Sequence, residues 1–167
     1  MFCVRDVASL HQLSVFDSVP LVPDGPKFFH RKNVMDSRKL VHRSRIAIRW
    51  GDMDAIGHVN NTVYFRYMEQ ARIEWLETLG RPFEGTQGPV LINAECSFLR
   101  QLKYPGDIEV CCYLGAVGRS SFQTTYEIRR VDTAEVIVAE GSGKLVWIDF
   151  KLEKSVPLPD AIRLLLT

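Results

Sequence analysis

Residues 49–64 read R-W-G-D-M-D-A-I-G-H-V-N-N-T-V-Y. Asp52, Asp54, His58, Asn60 and Asn61 are crowded into this stretch, just where an amphipathic run begins. Two readings follow from the residue types. As turn and capping groups, the aspartates and asparagines bond to nearby backbone N–H groups and start a helix. As a catalytic site, a carboxylate acts on an electrophilic carbon. The exposed N–H groups of the helix start then hold the negative charge that develops on oxygen. Both readings stand on the residues by themselves.

Other chemistries find little support. E-G-S-G-K (140–144) has Glu140 where a serine-hydrolase elbow needs its first glycine. There is no G-x-x-x-x-G-K-[ST] phosphate loop and no H-E-x-x-H. No metal is assigned: nothing is spaced to complete a D-x-D…H ligand set, and the adjacent Cys111 and Cys112 point to opposite faces of a strand. The formal net charge of +1 gives no electrostatic case for a nucleic-acid or membrane partner. No apolar run approaches the roughly 18 residues of a membrane span. The start, M-F-C-V-R-D-V-A-S-L, reads as neither a secretory signal nor an acid-poor transit peptide. Cys3, Cys96, Cys111 and Cys112 read as free thiols in a reducing, cytoplasmic setting.

The elements that must position the polar stretch come next. Residues 1–40 show no sustained periodicity, and V-P-L-V-P-D-G-P breaks helix and strand alike. They are either an irregular extension or sequence upstream of a start at Met35. From His42 the chain is regular, and Arg45 to Trp50 alternates as a half-buried strand. After a loop from Gly51 to Asn60, a helix is predicted from Asn61 to Leu79. Tyr64, Tyr67, Met68, Ala71 and Trp75 form its apolar stripe, and Arg66, Glu69, Arg72 and Glu77 occupy the rest of its surface. Asn60 is its N-cap, Gly80 its C′ residue, and Pro82 stops it. Glu69 and Glu74 read as structural carboxylates.

Four strands follow. Ile92, Ala94, Cys96 and Phe98 alternate with polar residues, as do Ile108 to Leu114 and Phe122 to Ile128. The last strand runs from Glu135 to about Asp149, with Gly141 and Gly143 marking a bulge or a close backbone approach. A short helix capped by Asp160 ends the tail, 153–167. Short connections force antiparallel pairing, so the class is α+β: a five-stranded antiparallel sheet with one long helix. One helix covers one face, which leaves a partner subunit to cover the rest.

The stretch W-G-D-M-D-A-I-G-H-V-N-N-T-V-Y-F-R-Y-M-E-Q-A-R-I-E-W-L, 50–76, resembles the hot-dog-fold acyl-CoA thioesterases of the 4-hydroxybenzoyl-CoA thioesterase-like branch. The resemblance extends over roughly 42–150, within a domain set at 41–152. It implies that Asp54 acts as nucleophile or general base on a thioester carbonyl and that Asn61 offers its backbone N–H. Asp52 is then structural. His58 occupies the H-V-N-N position of a functional histidine in the related plant acyl-ACP thioesterases, although Ile56 replaces the asparagine found there. The resemblance also implies that G-R-S-S-F (118–122) contacts the CoA nucleotide of the substrate through Arg119, Ser120 and Ser121, often from the neighbouring subunit. Arginine suits phosphate geometry and serine hydroxyls bond phosphate oxygens, while Gly and Ser are also routine in turns.

The expectation is a cytoplasmic homodimer or homotetramer that hydrolyses an acyl-CoA without a cofactor. Two alternatives accompany it: a 3-hydroxyacyl thioester dehydratase and a non-catalytic acyl-CoA-binding module.

Overall fold

Alternation of apolar and polar side chains decides the first element. Strand β1 is Lys39–Ala47. It ends earlier than the Arg45–Trp50 alternation suggests, because Trp50–Asp52 coils into a 3-10 turn that leaves Trp50 exposed. Helix α1 is Asn61–Thr78. β2 is Gln87–Phe98, β3 Asp107–Val117, β4 Ser121–Arg130 and β5 Ile137–Asp149. A two-residue β6, Lys154–Ser155, pairs with the end of β5. The computed structural model describes residues 38–80 and 85–166. Residues 1–37 of the proposed extension, with the Met35 start, Cys3 and Pro82, therefore lie outside the described residues, whereas Lys39 and Leu40, expected to be irregular, open β1.

The strands pair antiparallel in the order β1-β3-β4-β5-β2, and α1 packs on the sheet. The α+β class expected from the sequence is the one observed. Inward-facing Ile108, Val110, Cys112 and Leu114 of β3 are fully buried, as are Phe122, Thr124 and Ile128 of β4. The helix stripe of Tyr64, Tyr67, Met68, Ala71 and Trp75 is buried against them. Trp75 meets Phe122 edge-to-face at 5.8 Å between centroids. Gly141 lets the helix sit this close. A Cβ there would stand 2.1 Å from Met68 Sδ and 3.0 Å from the Glu95 carbonyl oxygen, so the glycine marks a close approach. The register shifts nearby lie away from both glycines, at Ile92 of β2 and at Val138 of β5.

Three expectations change. Arg72 is buried beside the stripe, because it lies one i+4 step from both Met68 and Leu76. The short tail helix, α2 (Asp160–Arg163), has Pro159 at its N-cap, and Asp160 is its first residue rather than its cap. Of the apolar positions of β2, an edge strand, Cys96 packs on the core, but Ile92 and Phe98 are left largely open by the described residues, 56% and 48% exposed.

Glu74 ties the helix to β1. Its carboxylate accepts from Ser44 Oγ and from Gln70 Nε2 at 2.8 Å, and pairs with His42 Nε2 at 3.1 Å. Burial pushes this carboxyl up, but the hydrogen bonds from Ser44, Gln70 and His42 outweigh it and hold it below the usual range. A carboxyl lowered in the folded state stabilises above its unfolded value, and that stability is lost as pH falls through the folded value. Glu74→Gln is therefore expected to flatten the acid limb of stability against pH. Urea midpoints between about pH 3 and 6 would read it, and parallel curves for the two proteins would refute it.

Candidate active site

The polar stretch folds into a narrow hairpin that leads directly into α1. Ile48 N–H donates to the Gly106 carbonyl at 2.8 Å and Val59 N–H to the Leu102 carbonyl at 2.9 Å, which fixes the hairpin to the loop before β3. Across the hairpin, Asn60 N–H donates to the Asp52 carbonyl at 2.9 Å, Met53 bridges Val59, and Asp54 N–H donates to the His58 carbonyl at 2.7 Å. Gly57 closes the tip with φ +81°, a conformation that favours glycine.

The two aspartates do different work. Asp52 Oδ2 accepts from Arg49 N–H at 2.8 Å and from the Tyr67 hydroxyl at 2.7 Å. Its carboxylate therefore anchors the loop to α1, which fits the structural role expected of it. Tyr67 is buried, and burial together with the Asp52 hydrogen bond holds its phenol far above the ordinary range. Asp54 is half-buried. Its Oδ1 accepts from Ile56 N–H at 2.9 Å and His58 N–H at 3.3 Å, while Oδ2 has no partner among the described residues. One oxygen orients the group and the other is left for a ligand. His58 bonds Asp54 through main-chain atoms, and its half-buried ring has no hydrogen-bond partner among the described residues.

The helix start shows the same division. Asn60 caps it, accepting from Thr62 N–H at 2.9 Å and Thr62 Oγ1 at 2.7 Å, and its carbonyl takes Val63 N–H at 3.0 Å. Asn61 N–H finds no acceptor among the described residues, and its side chain is exposed. An open N–H at the positive end of an 18-residue helix is a donor for an anionic oxygen. Asp54 and His58 thus face each other across one hairpin, and Asn61 opens the helix that the hairpin leads into.

Arg119, Ser120 and Ser121 are elsewhere. They form the β3–β4 connection, where Gly118 N–H donates to the Ser121 carbonyl at 2.7 Å. The Ser120 carbonyl accepts from Trp147 N–H at 2.8 Å and the Arg119 carbonyl from Leu158 N–H at 2.9 Å. Along β1, Ala47 pairs with Asp107 beside the hairpin, whereas Lys39 pairs with Leu114 near Arg119. At about 3.3 Å per residue, this nine-residue strand separates the two places by close to its full length. The Arg119 side chain is exposed. Within one chain it does not meet Asp54.

The sequence reading missed the Tyr67–Asp52 bond and the burial of Arg72. The i+4 row 68, 72, 76 was the signal for the second. The first joins residues 15 apart in the chain and left no local pattern. Burial pushes the Cys112 thiol up to about 12 and that of Cys96 to about 11, which makes both poor nucleophiles. Among the described residues no group of three or more His, Cys, Asp or Glu is placed to hold a metal, and no helix is long and apolar enough to cross a membrane.

Comparison with known proteins agrees with the fold. The family model described as the thioesterase-like superfamily matches residues 48–166. A Pseudomonas aeruginosa structure proposed to be a thioesterase is 39% identical, with TM-score 0.75, covering 77% of this chain and 100% of that one. A thioesterase of Thermus thermophilus, solved with coenzyme A and Zn, is 31% identical, with TM-score 0.66, covering 76% and 92%. An Aquifex aeolicus (strain VF5) protein proposed to be an esterase is 33% identical over 126 residues, 73% of this chain and 93% of that protein.

Proposed function

Given that the chain belongs to the thioesterase-like superfamily and is a thioester hydrolase, we propose that its substrate is an acyl-CoA, split to the free acid and CoA by Asp54 with the Asn61 N–H as the donor to the carbonyl oxygen. The observation that carries this reading is the presence of two uncommitted groups, one on the hairpin and one at the start of the helix it leads into: Asp54 Oδ2 and Asn61 N–H. That the similar Thermus thioesterase was solved with coenzyme A supports the leaving group.

The steps follow from the groups present. The thioester carbonyl oxygen sits at the helix start, where Asn61 N–H and the helix dipole stabilise the oxyanion. Asp54 either bonds the carbonyl carbon, giving an acyl anhydride that water cleaves, or takes a proton from a water whose oxygen bonds that carbon. On either route the C–S bond breaks as the tetrahedral adduct collapses, on the first route to form the anhydride before water cleaves it, and CoA leaves as a thiolate, which needs less activation than an amide nitrogen. His58 is the proton carrier beside them. In a single turnover, oxygen-18 from water enters the Asp54 carboxylate only by the anhydride route.

Arg119, Ser120 and Ser121 hold the CoA phosphates, and they reach Asp54 only from a second copy of the chain. The long exposed edge of β2, with Leu91, Ile92 and Phe98 uncovered, supports a dimer formed along it. The free Cys96, Cys111 and Cys112 fit a cytoplasmic setting.

Thiol release from short, long and aromatic acyl-CoAs tests the activity, and no release from any of them would overturn the reading. Complementation tests the shared site. Asp54→Asn and Arg119→Glu proteins, each impaired, are expected to regain turnover when unfolded and refolded together, because one mixed site then carries both native groups. A mixture no more active than its parents would place both groups in one subunit's site or in none.

A further inference from the structure

Helix α1 carries a largely buried cation to which, among the described residues, no carboxylate is hydrogen-bonded. Arg72 is only 8% exposed, yet among the described residues its hydrogen-bond partner is a neutral hydroxyl: Nη1 donates to Tyr126 at 3.2 Å. Glu69, one turn earlier, is taken by Arg66 at 3.1 Å, and Glu74 by Ser44, Gln70 and His42. Burial pushes the Tyr126 phenol and the Cys112 thiol each up to about 12, so neither supplies a negative charge near neutral pH. Among the described residues the other N–H donors of Arg72 have no protein acceptor, yet none of its nitrogens is a fully enclosed unpaired atom, so they remain open to a ligand.

The cation also faces space. Phe65, Met68, Leu91 and Ala94 give the apolar lining of a cavity of about 120 Å³ between the helix and the sheet, and Arg72, Tyr126, Ser142 and the Arg66–Glu69 ion pair give its polar lining. Its walls are mostly apolar, and the polar atoms aimed into it form a chain, since the Tyr126 hydroxyl also shares a hydrogen bond with Thr124 Oγ1 at 2.7 Å. The cavity lies beside the α1 face that carries Phe65, Met68 and Arg72, one to three turns after Asn61. Met68 rests on Gly141, which pairs with Tyr126, so the Arg72 contact lies level with Met68. At about 1.5 Å per residue that is about 10 Å from the helix start, within reach of a medium-length acyl chain whose carbonyl sits at Asn61.

We infer that Arg72 and Tyr126 form a carboxylate-binding subsite for the far end of the acyl group, so that the preferred substrates are thioesters of medium-length dicarboxylic acids. This rests on the acyl-CoA reading above. A guanidinium aimed by a hydroxyl accepts a carboxylate through paired N–H donors, and the apolar walls take the methylenes before it. An uncharged acyl end of the same length leaves the cation unpaired, and that unpaired charge is the source of the selectivity.

Two measurements test the subsite separately from turnover. Melting temperatures of the full chain and of Asp54→Asn are compared with adipate, hexanoate and sodium sulfate at equal ionic strength. Adipate is expected to raise both, hexanoate and sulfate neither, and the adipate shift is lost in Arg72→Met. Then kcat/KM is compared for adipoyl-CoA and hexanoyl-CoA. A preference of at least about tenfold is expected, falling to near unity in Arg72→Met and partly restored in Arg72→Lys. If Arg72→Met does not fold, Tyr126→Phe, which keeps the cation but not its orienting hydroxyl, is expected to lower the same ratio. Equal shifts from sulfate, an adipate shift that survives in Arg72→Met, or no preference between the two thioesters would each overturn the subsite. So would a loss of dimers in Arg72→Met with no adipate effect on the wild type, because a carboxylate of the partner subunit would then be filling the place. If no acyl-CoA is hydrolysed, the adipate shift still decides whether the subsite exists.

Discussion

Asp54→Asn is expected to lower thiol release from acyl-CoA by about 10²–10⁴-fold, the usual worth of a positioned acid–base group, with the fold intact. The substitution is informative because the turn survives it. Asn Oδ1 accepts the same two N–H groups, from Ile56 and His58, that Asp54 Oδ1 accepts. The hairpin ladder of Asp52 with Asn60, Met53 with Val59 and residue 54 with His58 depends on main-chain atoms. What is lost is the charge and basicity of Oδ2, the oxygen without a partner among the described residues. The loss should therefore fall on kcat with KM little changed, as for an interaction made mainly in the transition state. Thiol release, CoA binding and a urea midpoint together check this. A variant with wild-type kcat would remove Asp54 from the mechanism.

The second large effect is expected from Asn61→Pro. Proline at the first helical position lacks only the N–H that the helix does not use, and its fixed φ suits that position. The preceding Asn60 has φ −58° and ψ 140°, a conformation that a following proline allows. Stability should hold while the donor to the carbonyl oxygen disappears, which costs about 10²–10³-fold in kcat. Asn61→Ala keeps the N–H and is expected to lose less than about tenfold. Equal losses in the two variants would assign the effect to the side chain. Full activity in Asn61→Pro would rule out the helix start as the oxyanion site.

Much of what positions these groups can be read from short-range pattern. The 3.6-residue stripe places α1, and Asn60 and Gly80 cap it as their types suggest: Asn60 accepts from Thr62 N–H, and Gly80 takes φ +93°. The period-two alternation in β3 and β4 tells which side chains face the core, because successive residues on a strand point to opposite faces. Arg72 shows where pattern stops. Its charge suggests the surface, yet its position on the 68–72–76 row buries it, and only the packed structure shows a cation beside a cavity with no carboxylate hydrogen-bonded to it among the described residues.

Local pattern was enough for the class of the fold, the family resemblance and the polar loop that leads into the helix at Asn61, since those features are set by residues within a few turns of one another. Pairing between distant segments settled the rest. β5 rather than β3 borders β2, which leaves β2 as an open edge with Ile92 and Phe98 uncovered. Pro89 fits in that strand because an edge has a side that need not donate to a neighbour. The register of β1 on β3 sets Arg119 a full strand length from Asp54. One cause underlies all three. Periodicity reports that a face will be covered, but the covering element, and the distance between two loops, are set by long-range backbone hydrogen bonds that leave no mark on neighbouring residues.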